Sequence, residues 1–282
     1  MIIDLKVRIV ARTKDRPVKP LLTLRQFGKT AEISATGAIG ESPLFLLDYA
    51  LRFLRVIATL ALWRVILGGQ GSVAGMSLGM LLTYTLISEV FGDPLTCRTD
   101  LSWHLYQGAI VPRFLQPMGL AVHYAAASVG TWTFNFIFFS VPLLVAAALF
   151  GVWVLPASAL AALLFVVSLV LAVAIGLALE FIFGALAVYF EQNVYAIGRV
   201  RDGLSAVLSG ILLPLAIYPR GLGEVFGYLP FASMASAPLQ IYTGTGDPLR
   251  LLAIQLFWAL LLWPTAQWLW RTNRQKLVTL GG

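Results

Sequence analysis

The residues best placed to do chemistry lie in one polar stretch, Thr96-Cys97-Arg98-Thr99-Asp100-Leu101-Ser102-Trp103-His104-Leu105-Tyr106-Gln107-Gly108, and in the proline-broken tail after it, which carries Arg113 and Pro117. This pattern predicts a short semi-polar helix stopped at Gly108, since glycine readily takes the left-handed conformation that ends helices. The helix would present Trp103, Tyr106 and Gln107, an aromatic and polar mix enriched where proteins grip one another. Two roles fit: a knob seized by a partner, or an anchor whose Trp and Tyr rest among lipid headgroups. Arg113 fits a salt bridge to such a partner or a cytosolic topology anchor equally well.

The remaining reactive side chains do not assemble into an enzyme. Cys97 is the one cysteine and so cannot form an internal disulfide. His104 and His123 lack an acidic partner at ligand spacing, which argues against a metal site. Gly28-Lys29-Thr30 resembles the end of a phosphate-binding loop, but the position five residues earlier, where glycine is required, is Thr23. The chain is therefore expected to be no enzyme and to bind no cofactor; any ATP hydrolysis belongs to another chain. Glu89 and Glu180 interrupt apolar runs and are functional candidates by position, although both are expected near the cytosolic ends of their helices. Asp48 and Arg52 are four residues apart and can neutralise each other on one helix face.

The elements that must hold these residues are membrane helices. Hydrophobic residues make up 59% of the chain and charged residues 12%, a composition outside the range of soluble domains. Since a span needs about 20 mostly apolar residues, six segments qualify or come near: 47–67, 73–90, 120–150, 157–189, 203–218 and 249–270. The third and fourth exceed the need and are expected to tilt, kink at Pro142 or project into the cytosol. Residues 222–242 are apolar as well, but Pro219, Pro230 and Pro238 oppose a continuous helix there.

Basic residues set the orientation. With six spans and both termini inside, the cytosolic side collects fifteen Lys and Arg, including eight from residues 1–43, against Arg220 and Arg250 outside. A seventh span would reverse the basic C-terminus, so 222–242 is read as an extracytosolic re-entrant or interfacial element. The expected fold is an all-α integral membrane protein in two parts, a basic cytosolic arm over 1–43 and a transmembrane domain over 44–282. In the arm, Ile3, Leu5, Val7 and Ile9 alternate with polar residues as in an extended strand, and residues 31–43 read as a flexible linker. No apolar stretch precedes a small-residue cleavage site, so a cleaved signal peptide is not expected. The arm's charge suits anionic headgroups better than nucleic acid, which is not expected as a partner.

LWRVILGGQG, LLTYTLISEVF, RTDLSWHLYQGAIVPRFLQPMGL, LSGILLPLAIYP, LPFAS and the closing LVTLGG, in this order over residues 47–282, resemble the permease subunits of ABC-2 type transporters, in the viologen and multidrug export branch. The resemblance implies that Trp103, Tyr106, Gln107, Gly108, Arg113 and Pro117 belong to a coupling helix and its exit, docked on a separate ATPase that binds ATP and Mg. It implies a pair of extracytosolic half-helices after the fifth span. It also implies two facing permease chains with two ATPase copies in a bacterial inner membrane, a heterodimer being favoured because many relatives pair different permeases. Tyr84, Ile87, Ser205, Ser209 and Leu212 then line the substrate path, next to the small-residue pairs Gly75/Gly79 and Ala206/Gly210. Ala109, where an acidic residue is common, and the long basic arm depart from the family pattern. The alternative from the residues alone is an ion-driven secondary transporter, which would need midplane ion ligands and usually an internal repeat.

Overall fold

The computed structural model describes residues 20–37, 45–68, 71–110, 113, 116, 118–149, 152, 154–190 and 194–280. The strand expected near the N-terminus lies outside the described residues, as does Pro117. Helices α1 (Pro20–Gly37), α2 (Phe45–Leu67) and α3 (Leu78–Val90) come first, followed by the short α4 (Gly92–Thr96) and α5 (Leu101–Tyr106). Next are α6 (Leu120–Asn135), a π-turn over Phe136–Ser140, α7 (Val141–Leu149), α8 (Ala159–Tyr189) and α9 (Val194–Leu208). After two 3-10 turns come α10 (Leu222–Gly227), α11 (Pro230–Met234), α12 (Ser236–Thr243) and α13 (Pro248–Leu280).

Three helical stretches among the described residues are long and apolar enough to cross a membrane: Leu120–Leu149, Ala159–Tyr189 and Pro248–Asn273. Their outward positions carry Leu149, Leu160, Leu163, Val170 and Leu260 largely exposed, which suits hydrocarbon rather than water. α2 has 23 residues, but Asp48, Arg52, Arg55 and Arg64 interrupt it. Within the expected second span, Val73 and Met76 close a tight bridge before α3, capped by Ser77, begins.

α8 is the hub: α13, α12, α9, α11, α4 and α5 all pack on it. Small residues let them approach. A methyl group at Gly176 would overlap the Cys97 side chain, and one at Gly184 would press on Leu101 at 3.1 Å. The irregularity expected at Pro142 takes the form of the π-turn. Proline has no N–H for the carbonyl four residues back, and a wide turn absorbs the missing bond. The same turn points Ser140 at α3, where its hydroxyl donates to the Val90 carbonyl at 2.8 Å.

Two expectations need correction. Residues 31–37, read as a flexible linker, form the second half of α1, which packs along α6. Alternating small and polar residues hid an amphipathic helix, since neither Ala31, Ser34 nor Ala35 announces a core face. The fifth span, expected over 203–218, is displaced: α9 occupies Val194–Leu208, and the chain breaks at Ser209 and Gly210, the latter at φ +77°. Its 15 residues rise roughly 22 Å, short of the ~30 Å hydrocarbon core. Residues 222–242 are broken into short helices, with Pro230 opening α11 and Pro238 in the first turn of α12, positions where a proline gives up no intrahelical bond.

Candidate functional site

α5 has an inner and an outer face. Inward, Leu101 is fully buried and packs with Leu105 over the bare backbone of Gly184 on α8. Outward, Trp103 and Tyr106 are 48% and 60% exposed, with ring centroids 5.8 Å apart and planes 25° from parallel. Gln107 and Gly108 are exposed, and Gly108 ends the helix at φ +69° as its position predicts. Stacking holds the two aromatic faces together with few rotamers to lose on contact.

The turn that enters α5 is fastened from below. Arg201 of α9 is 2% exposed, and its guanidinium lies 3.2 Å from both Glu180 of α8 and neighbouring Asp202. Its second amino group donates to the Thr96 and Cys97 carbonyls at 2.9 and 3.1 Å. Those two carbonyls converge because Cys97 sits in the left-handed region at φ 46°, which costs a non-glycine residue roughly 1–2 kcal/mol. Glu180 also accepts from the Thr99 amide at 3.3 Å, so one buried ion pair joins α8, α9 and the α4–α5 turn. Glu180 was legible as an intramembrane carboxylate. Arg201 is one of the fifteen basic residues assigned to the cytosolic side, and the structure buries it; the signal that identifies it is that a buried carboxylate demands a nearby cation.

The tail that leaves α5 is braced by Arg113, which donates to the Ala109 carbonyl at 2.7 Å and approaches His104 Nε2 at 2.8 Å. Arginine can only donate, so His104 is the neutral tautomer with its proton on Nδ1, which lies 3.1 Å from the Tyr124 hydroxyl. Burial, and secondly Arg113, hold the His104 pKa below the ordinary imidazole value. His104 and His123 approach the same ring of Tyr124, and no group of three metal-ligating residues occurs among the described residues.

Asp48 and Arg52 pair at 3.0 Å as their spacing predicts, and Arg52 leans toward Asp93 at 3.9 Å. Asp93 in turn accepts from Asn135 of α6 at 2.6 Å. Glu89 pairs with Arg55 of α2 at 2.6 Å. Among the expected path residues, Tyr84, Ile87, Ser205 and Ser209 are buried within the single chain, while Leu212 is 61% exposed. Tyr84 donates to the Gly210 carbonyl at 2.7 Å, and Ser209 accepts from the Ser236 amide at 2.9 Å. These bonds pin the break after α9 to α3 and α12. A polar junction missed in the sequence lies deeper: Gln255 of α13 is fully buried, donates to the Ser168 and Ser233 carbonyls, and accepts from the Ser168 hydroxyl.

The described residues thus form a hub of apolar helices from which the short helix α5 turns an aromatic face outward. Comparison with curated proteins finds no match. The family model described as ABC-2 family transporter protein matches residues 53–281, and the chain thus belongs to the ABC-2 family as an ABC-2 type permease, a transport component of the membrane and not itself a catalyst.

Proposed function

We propose that this permease is the membrane subunit of an ABC exporter for amphipathic or drug-like molecules, driven through α5 by a separate ATPase that binds ATP and Mg. The complex contains two ATPase copies and two permeases, a heterodimer being favoured, in a bacterial inner membrane. Six membrane segments, with α9 in place of the fifth span expected over 203–218, cytosolic termini and an extracytosolic re-entrant element over 222–242 complete the reading. One observation carries it: the exposed Trp103 and Tyr106 stack stands on a helix fixed to α8 through Leu101, Leu105 and the Arg201–Glu180 pair. Force applied to the aromatic face therefore reaches the spans without a slack joint.

The test is Trp103→Ala with Tyr106→Ala. Truncating central interface aromatics typically costs about 2 kcal/mol or more of partner binding, so the pair should lose ATPase co-purification or uncouple hydrolysis from efflux while inserting normally. Wild-type association and substrate-stimulated hydrolysis in that variant would return α5 to a headgroup anchor. Topology is checked in a Cys97→Ser background: Ser72→Cys and Thr245→Cys should react with an impermeant thiol reagent from outside, and Thr272→Cys should not. Leu212, the exposed path candidate, is the position to enlarge, and Leu212→Trp should slow efflux in an assembled complex.

A further inference from the structure

A cavity of about 550 Å³ lies between α1, the entry to and exit from α5, and α6 from His123 to Trp132, a volume typical of ligand sites. Its lid, α1, lies outside the family match over 53–281. Close approach sets the lid's position, because a side chain at Gly130 of α6 would overlap the Ala31 carbonyl. Three buried polar atoms without a hydrogen-bond partner belong to residues on the cavity wall: Arg113 Nε, His123 Nδ1 and Gln26 Oε1. Buried polar groups are seldom left unmatched, and three around one cavity call for a polar occupant.

The charges specify its sign. Arg98 and Arg113 face the cavity against a single carboxylate, Asp100. Arg98 is paired with Asp202 at 3.4 Å, whereas Arg113 has no carboxylate within 4.0 Å among the described residues. An unpaired, half-buried guanidinium with a free N–H favours an anion, and phosphate oxygens match that geometry. Gln26 Oε1 asks for a donor, which a phosphomonoester or a glycerol-bearing headgroup supplies as a hydroxyl. Thr30 and Ser34 add hydroxyls from the lid, while Ile33, Met118 and Trp132 give an apolar wall.

We propose that this cavity binds a hydroxyl-bearing phosphate group, supplied by a glycerophospholipid headgroup or by a soluble phosphoester. The site joins α1 to Arg113 and His104, so an occupant stiffens the exit from α5 and ties lid position to coupling.

The full-length permease is reconstituted in phosphatidylcholine nanodiscs and probed in two arms. One replaces half the lipid with phosphatidylglycerol and follows thermal unfolding and lipid retained in native mass spectrometry. The other keeps phosphatidylcholine and titrates inorganic phosphate. A rise in Tm with phosphatidylglycerol alone identifies a headgroup, and a rise with phosphate identifies a soluble ligand; either supports the site. Arg113→Gln and His123→Leu should each weaken the response by about tenfold, measured on the folded, monodisperse fraction, whereas Arg250→Gln should not. The proposal is overturned if neither probe raises Tm, or if Arg113→Gln and His123→Leu respond as wild type. No ATPase is present, so failure here leaves the coupling role of α5 standing.

Discussion

Arg201 and Arg113 brace the entry to and the exit from the same short helix, and the fold treats their charges oppositely. Arg201 meets two carboxylates and two carbonyls and is sealed from solvent. Arg113 meets one carbonyl and one neutral imidazole, and it borders a cavity. A compensated buried charge acts as a rivet, costly to break; Arg201 Nε also lacks a hydrogen-bond partner, but Arg201 has its carboxylates and does not line the cavity. An uncompensated one at a cavity keeps binding capacity. The difference separates the part of α5's mounting that fixes geometry from the part that can respond to a ligand.

The largest effect should come from breaking the rivet. Arg201→Leu leaves Glu180 buried without a cation and should destabilise the fold by about 3–5 kcal/mol, whereas Arg201→Leu with Glu180→Leu should recover most of it. Thermal unfolding in detergent tells the two apart, and equal loss in both would mean that packing, not charge, holds the turn. Next in size is the lid. Gly130→Leu should cost roughly 1–3 kcal/mol by forcing α1 away from α6, seen as faster amide exchange across Pro20–Gly37 with α8 unchanged.

Arg113→Gln should be milder for the fold than any change at Arg201. It removes hydrogen bonds but strands no opposite charge, so a loss of about 1 kcal/mol is expected in thermal unfolding. A loss as large as that of Arg201→Leu would erase the distinction between the two arginines. The smallest effect on stability should follow Trp103→Ala with Tyr106→Ala. Both side chains are about half exposed or more, and surface changes usually fall within about 0.5 kcal/mol. On the proposed function, its consequences fall on partner binding.

Apolar run length made the membrane character legible, and the glycine stop with its aromatic spacing made α5 legible, because both are local properties of consecutive residues. The prolines between 219 and 238 likewise foretold a broken segment over 222–242. The end of α9 was misplaced since Ser209 and Gly210 look like ordinary small residues. What stops the helix there is the grip of Tyr84 on the Gly210 carbonyl and of Ser209 on α12.

By itself the sequence determined an all-helical membrane chain of the ABC-2 type, with an outward-facing aromatic helix between its second and third apolar runs. Only the tertiary structure decided that Arg201 belongs to Glu180, 21 positions away in sequence, that α1 is a docked helix, and that Arg113 borders a cavity without a carboxylate partner. The physical reason is that hydropathy and helix stops are written in neighbouring residues. Charge compensation depends on which distant side chains arrive within about 4 Å of each other, and helix packing alone sets that.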